Sequence, residues 1–269
     1  MIFIKKALAF LCGIFGISDL YLYFLNKKHK NNYVRIINYH NTEKENLELF
    51  ERQLAYYEKK FSIIDFDQLK LFLDDKLCFR EKPGMLITFD DGYVCQYEWA
   101  LDVLKKHDIK SIFFISSEKY GETDPNYIRH DKLKEICDCG HTIGDHTSSH
   151  YRFTDKDTLE KLNHEIIDSK VVLQEITGQE IDSFCYVGGE VPVYTEDSFK
   201  IIKNNYEYCF TTLTRICTRK TNKHLIHRTN IESYWNMNMV KLNVSGIWDL
   251  YYADKARKIE EKLIDGNLL

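Results

Sequence analysis

Four residues concentrate the chemistry this chain could do: Asp90, Asp91, His146 and His150. Asp90 and Asp91 end the stretch Met85-Leu86-Ile87-Thr88-Phe89-Asp90-Asp91-Gly92-Tyr93. Met85 to Phe89 is a short apolar run of the kind that fills a parallel-sheet interior, and Gly92 breaks the regularity. The carboxyl end of such a strand is where chemistry collects in α/β folds. Two adjacent carboxylates repel, so they call for a cation or a shared proton; the plainer alternative is a strand-end turn that uses Asp as a local cap. His146 and His150 lie four apart in Gly144-Asp145-His146-Thr147-Ser148-Ser149-His150. That spacing brings two imidazoles to one side of a helical turn or tight loop. Two His and one carboxylate form a divalent-metal triad with positions left open for water and substrate. Two surface histidines in a polar loop remain the alternative.

The elements that must position these residues alternate along the chain. Val34 to Tyr39 is a strand that delivers His40 at its end. Leu47, Phe50, Leu54, Tyr57 and Phe61 mark one face of a helix, and Phe66 to Leu77 reads as a second. After the Asp90 strand come a helix over 96–107, a strand over 110–116, a helix over 133–139 stopped by Gly140, and a short strand or loop over 142–146. A helix over 159–176, a strand over 183–187, a helix over 198–204 and strands over 208–212 and 225–231 complete the alternation. Strands alternating with helices imply a parallel sheet with crossovers. About seven strands fit a distorted or incomplete (β/α) barrel, with parallel strands ending on one rim.

Composition narrows the function classes. At 269 residues, with 44% hydrophobic and 29% charged residues, the chain can bury a full core. A net charge of -4 supplies no global basic field, so nucleic acid is not an expected partner. The 18 Tyr and 16 Phe suit carbohydrate or membrane-interface contact, and suit a Tyr-rich core equally well. The eight cysteines form no CxxC pair and no regular framework, which leans toward a reducing compartment.

Three units are expected: an apolar segment over 1–30, a catalytic domain over 31–232 and a helical extension over 233–269. In the first, lysines flank the mostly apolar run Ala7 to Leu25, with Asp19 inside it. Two short helices broken near Gly13 and Gly16, the second capped by Ser18, would lie on a membrane surface. A spanning anchor is the second reading, and a signal segment or plain core packing the third. The expected location is membrane-associated, with the cytoplasmic face favoured over an extracytoplasmic one.

Taken together, Thr88-Phe89-Asp90-Asp91-Gly92-Tyr93 and the later His146-Thr147-Ser148-Ser149-His150 resemble the polysaccharide deacetylase family, the carbohydrate esterases with a NodB homology domain. They match its TFDDG and H-[ST]-x-x-H motifs, and the resemblance runs from about Val34 to Ile231. It implies that Asp90 is the catalytic base. It also implies that Asp91, His146 and His150 hold one divalent ion, zinc first, with cobalt, nickel or iron also fitting. The counterpart of the family's third motif is Phe184-Cys185-Tyr186-Val187-Gly188-Gly189. There Cys185 stands for Arg, Val187 for Pro and Gly188 for Tyr. A backbone N–H near Gly188 is the implied oxyanion donor, with Tyr186 beside it, and Arg228 is the candidate to replace the lost Arg. The family's C-terminal L-x-H motif has no clear match. The poly-N-acetylglucosamine deacetylase branch places its acid histidine after the first strand instead, and Asn38-Tyr39-His40-Asn41 looks like that segment. His40 is therefore the expected general acid and His227 the second candidate. The implied activity is metal-dependent removal of N-acetyl groups from an aminosugar polysaccharide or a lipid-linked sugar. Deacylation of another non-peptide amide, or a catalytically weakened glycan-binding module, stay open.

Overall fold

The computed structural model describes residues 2–121, 123–189 and 191–266. Two helices, α1 (Ile2–Ile14) and α2 (Ile17–His29), precede the first strand, β1 (Val34–Tyr39). There follow α3 (Leu47–Lys60), β2 (Ser62–Ile63), α4 (Phe66–Leu73), β3 (Gly84–Phe89), α5 (Leu101–Lys106), β4 (Ser111–Ile115), α6 (His130–Asp138) and β5 (Thr142–Asp145). The remainder is α7 (Leu159–Asn163), α8 (Ser169–Thr177), β6 (Ser183–Cys185), α9 (Glu196–Asn205), β7 (Tyr208–Phe210), β8 (Thr229–Asn230), α10 (Met237–Val244) and α11 (Asp249–Asp265). A π-helical turn, Gln96–Ala100, leads into α5, and another, His164–Asp168, joins α7 to α8.

Every strand pairing is parallel, in the order β7-β6-β5-β4-β3-β1-β8, with β2 beside the start of β3. The two ends of this sheet meet through one short stretch: Ile226 bridges Phe210 of β7, and Thr229 and Asn230 pair with Ile37 and Asn38 of β1. The result is the distorted (β/α) barrel that the alternation predicts. Along β3 the period of two divides two cores. Met85, Ile87 and Phe89 face outward to the helices, while Leu86 faces an inner cluster with Val34, Ile36, Ile112, Phe114 and Phe210. Phe66, Leu69 and Phe72 of α4 join that inner cluster. The inner cluster turns polar toward the carboxyl ends, where Asn38, Thr88, Asp90 and Arg228 are all buried.

The differences from the sequence reading have local causes. The helix predicted over 66–77 stops at Leu73, where Asp75 takes a left-handed φ of 62°. Its start is fixed by a capping box between Asp65 and Gln68. The strand predicted over 225–231 is split because it crosses from one sheet end to the other. The two-residue β2 is too short to carry a period. Gly16, and not Ser18, occupies the cap position of α2; Ser18 is buried inside the helix.

Candidate metal and catalytic site

Asp90 and Asp91 follow β3, and His146 follows β5, so the parallel arrangement alone brings them to one rim. His150 arrives by a loop, not a helical turn. Backbone conformation does the aiming: Asp91, Thr147 and His150 all have positive φ, at 74°, 67° and 62°. Such conformations cost free energy for residues with a Cβ and persist where the surroundings enforce them. In the loop between Thr147 and His150, Glu165 holds the two intervening serines. It is buried, and its carboxylate accepts hydrogen bonds from the Ser149 N–H at 2.9 Å and the Ser149 hydroxyl at 2.7 Å. Its main-chain carbonyl accepts from the Ser148 N–H at 3.0 Å.

The ligand atoms of Asp91, His146 and His150 lie within 4.8 Å of one another. His150 Nε2 stands 2.9 Å and His146 Nε2 3.4 Å from Asp91 Oδ1. Neither contact has hydrogen-bond direction, so among the described residues this buried oxygen has no hydrogen-bond partner. Burial would raise the Asp91 carboxyl, but the two imidazoles outweigh it and hold it far below the usual carboxylate range. The His146 Nδ1 lies 2.8 Å from the Cys185 carbonyl. A carbonyl only accepts, so Nδ1 carries a proton and Nε2 is the nitrogen turned to the cluster, able to ligate an ion once its own proton is displaced. An ionised carboxylate with an orphaned oxygen and an oriented imidazole, joined by His150, fits a divalent cation by donor set and by spacing.

Asp90 sits below this cluster, fully buried. Arg228 NH1 and NH2 donate to its two carboxylate oxygens at 2.6 and 2.7 Å. The same guanidinium donates to Thr88 Oγ1 at 3.0 Å and, through Nε, to the Thr211 carbonyl at 3.1 Å. Burial pushes the Asp90 carboxyl up, but the Arg228 charge reverses the shift and keeps it below its ordinary value. Asp90 is therefore ionised at neutral pH and can accept a proton. Arg228 thus braces Asp90 and also donates to Cys185 Sγ at 2.6 Å.

His40 stands on the same rim, partly exposed, with Nδ1 3.9 Å from a carboxylate oxygen of Glu232. The main chains of His40 and Asp90 are tied together by Gln96, whose amide donates to the His40 carbonyl at 2.8 Å and to the Asp90 carbonyl at 2.5 Å. Gln96 and Glu165 carry no motif and were not singled out from sequence.

Two expectations are corrected. His227 is next to Arg228 on an extended chain and so points the opposite way, outward, with its Nε2 3.9 Å from Glu260 of α11. Burial, helped by the charge of Arg215, pushes its imidazole down to about 3. A shift in that direction disfavours the imidazolium form that a general acid needs. Tyr186 is also unavailable to a substrate: its N–H donates to the Phe210 carbonyl at 3.1 Å, and its ring is buried against Phe184 and Tyr194. Gly188, with φ of 84°, turns the chain just beyond.

The chain is thus a parallel barrel with a carboxylate–diimidazole cluster on its carboxyl rim, able by its donor set to hold a divalent ion and backed by an arginine-braced carboxylate. Residues 80–208, just under half of the chain, match the family model described as polysaccharide deacetylase. A peptidoglycan-N-acetylglucosamine deacetylase of Bacillus cereus is 34% identical over 98 residues, which is 36% of this chain and 33% of that protein. The matched stretches cover 53% of the length of one curated relative and 28% to 36% of the others. Among solved structures, the Streptococcus pyogenes deacetylase PplD, in complex with acetate, superposes with a TM-score of 0.68 at 21% identity, over 79% of this chain and 97% of that one. IcaB from Ammonifex degensii superposes at 0.67 and 18% identity, over 81% of this chain and 97% of that one. These two likenesses establish the shared fold.

Proposed function

We propose that this protein is a metal-dependent hydrolase that removes N-acetyl groups from an aminosugar-containing glycan or a lipid-linked sugar. The observation that carries the reading is the pairing of two carboxylates with opposite jobs. Asp91 faces two imidazoles and Asp90 faces an arginine. Asp91, His146 and His150 hold the ion, zinc being the best match to two His and one carboxylate. Once bound, a divalent ion supplies Lewis-acid polarisation of an amide carbonyl and lowers the pKa of water at the site.

The chain's own groups supply the rest. Asp90 is the general base, held ionised by Arg228 and held in place through Gln96. A proton leaving water passes to an Asp90 carboxylate oxygen as the amide carbon is attacked. Gly188 offers a backbone N–H to the oxygen that becomes negative, a contact that matters most in the transition state. His40, whose Nδ1 lies 3.9 Å from a Glu232 carboxylate oxygen, gives a proton to the departing sugar amine. The products are acetate and a free amine. The named activities of the relatives, peptidoglycan N-acetylglucosamine and N-acetylmuramic acid deacetylation among them, support the substrate class.

The test is acetate release by the full chain from chitin oligomers, poly-N-acetylglucosamine, peptidoglycan and lipid-linked N-acetylated sugars, after metal loading and after chelation. Release from at least one of these, lost on chelation and restored by added metal, is expected. Binding of a glycan with no acetate from any of them, in chain that carries stoichiometric metal, would establish the binding-module alternative instead.

A further inference from the structure

The helices α1 and α2 meet at a bend of 82° and have two unlike sides. The inner side belongs to the catalytic domain. Ala9, Cys12 and Leu22 are buried in its core. Lys5 Nζ lies 4.6 Å from the ring centre of Trp235 and 4.9 Å from that of Trp248. Asp19 pairs with Lys60 of α3 and Lys241 of α10, each at 3.0 Å. The outer side is apolar: Phe3, Phe10, Ile14, Phe15, Leu20 and Phe24 are each more than half exposed. A continuous apolar face of this kind marks an interaction surface.

Charge identifies the occupant. The segment 1–30 contains five lysines and a single acid, Asp19. Because Asp19 is turned inward and paired, the charge left facing solvent is positive, at exposed Lys6, Lys27, Lys28 and Lys30. An apolar face rimmed by lysines complements an anionic bilayer, with the aromatic rings at the depth of the acyl boundary and the ammonium groups among the phosphates.

Spanning is the poorer fit. No single described helix is long and apolar enough to cross a membrane. Each of the two has 13 residues, about 20 Å of helix against a hydrocarbon core of roughly 30 Å. Straightening the pair across a bilayer would tear Lys5, Asp19 and Leu22 from their partners and place two charges in lipid. We infer that α1 and α2 lie flat in the interface of an anionic bilayer, their outer face in the lipid and their inner face on the catalytic domain, and that the chain is held on the membrane without crossing it.

The test uses the full chain and sealed vesicles of either phosphatidylglycerol with phosphatidylethanolamine or phosphatidylcholine alone. The wild type is expected to sediment with the anionic vesicles at least tenfold more strongly than with the neutral ones. Phe10→Glu/Phe15→Glu/Phe24→Glu, all at exposed positions, should lose at least tenfold of that binding while keeping the wild-type Tm. Lys6→Cys and Lys30→Cys, each in a background with exposed Cys78 and Cys139 replaced by Ser, should both react with an impermeant maleimide added outside. Protection of one of the two sites would mean a span. Undiminished vesicle binding by the triple Glu variant would mean that this face is not the contact. A lipid-free dimer that the triple variant abolishes, with no vesicle binding by the wild type, would show a second copy of the chain as the occupant. Each of these three results overturns the inference.

Discussion

At the scale of single residues, the site divides its work by what each carboxylate faces. Asp90 and Arg228 form a fully buried bidentate pair, so removing one partner leaves the other charged and dry. Arg228→Met should destabilise the fold by roughly 3–5 kcal/mol. In Asp90→Asn/Arg228→Met the loss should be clearly smaller than the sum of the single losses, as urea unfolding of all four chains will measure. His40 has a different signature, because it is no ligand in this scheme. His40→Ala should lower acetate release by about 10² to 10⁴, the usual scale for a general acid, with metal content unchanged. If His40→Ala loses its metal, His40 is a ligand or a structural prop. The four chemically marked residues were legible because ligand types at a fixed spacing leave a trace in sequence. Arg228 was legible only as a candidate, since its partner is 138 residues away. Gln96 and Glu165 left no trace, because a lone polar residue in a helical pattern gains its job only from what the fold sets beside it.

At the scale of elements, the joint between β4 and β5 carries a pH dependence that can be read from one histidine. His141 is buried just before β5, where its Nδ1 accepts the Ser111 N–H at 3.1 Å. Burial, with a smaller contribution from Lys110, pushes its imidazole from 6.5 down to about 4. The unfolded chain therefore takes up this proton first. The stabilisation is fully present above pH 6.5 and is lost as pH falls from 6.5 toward 4, by roughly 3 kcal/mol. His141→Asn keeps an acceptor for Ser111 and cannot titrate. Its urea midpoint should fall less than that of the wild type between pH 7 and pH 4.5, and an equal fall would remove His141 as the cause. Gly144 belongs to the same joint, one inward position below His146. A Cβ there would stand 2.5 Å from the Phe114 ring and 2.8 Å from Ser183 Oγ. Gly144→Ala should cost about 1–3 kcal/mol by overpacking, measurable as a drop in Tm. The positions of β1, β3, β4, β6 and β7 were legible from apolar runs, and β5 as a short strand or loop. β2 and the split β8 were not, because two-residue strands exist only through their neighbours.

At the scale of the whole molecule, the first and last helical segments pack into the barrel. Arg35 of β1 forms a bidentate pair with Asp249 at the start of α11, at 2.8 and 3.0 Å, while α1 packs along α10. Asp19 of α2 pairs with Lys60 and Lys241, so the segments 1–30 and 233–269 share packing and ion pairs with the barrel. All of this holds one rim in shape, the rim on which we propose that Asp91, His146 and His150 bind a metal while Asp90 moves the proton. The most direct test is a side-by-side measurement of metal content and acetate release for the wild type, Asp90→Asn and His150→Ala. Asp90→Asn should keep its metal and lose acetate release by at least about 10². His150→Ala should lose most of its metal and its activity together. Full metal in His150→Ala, or acetate release by Asp90→Asn at the wild-type rate, would contradict the assignment.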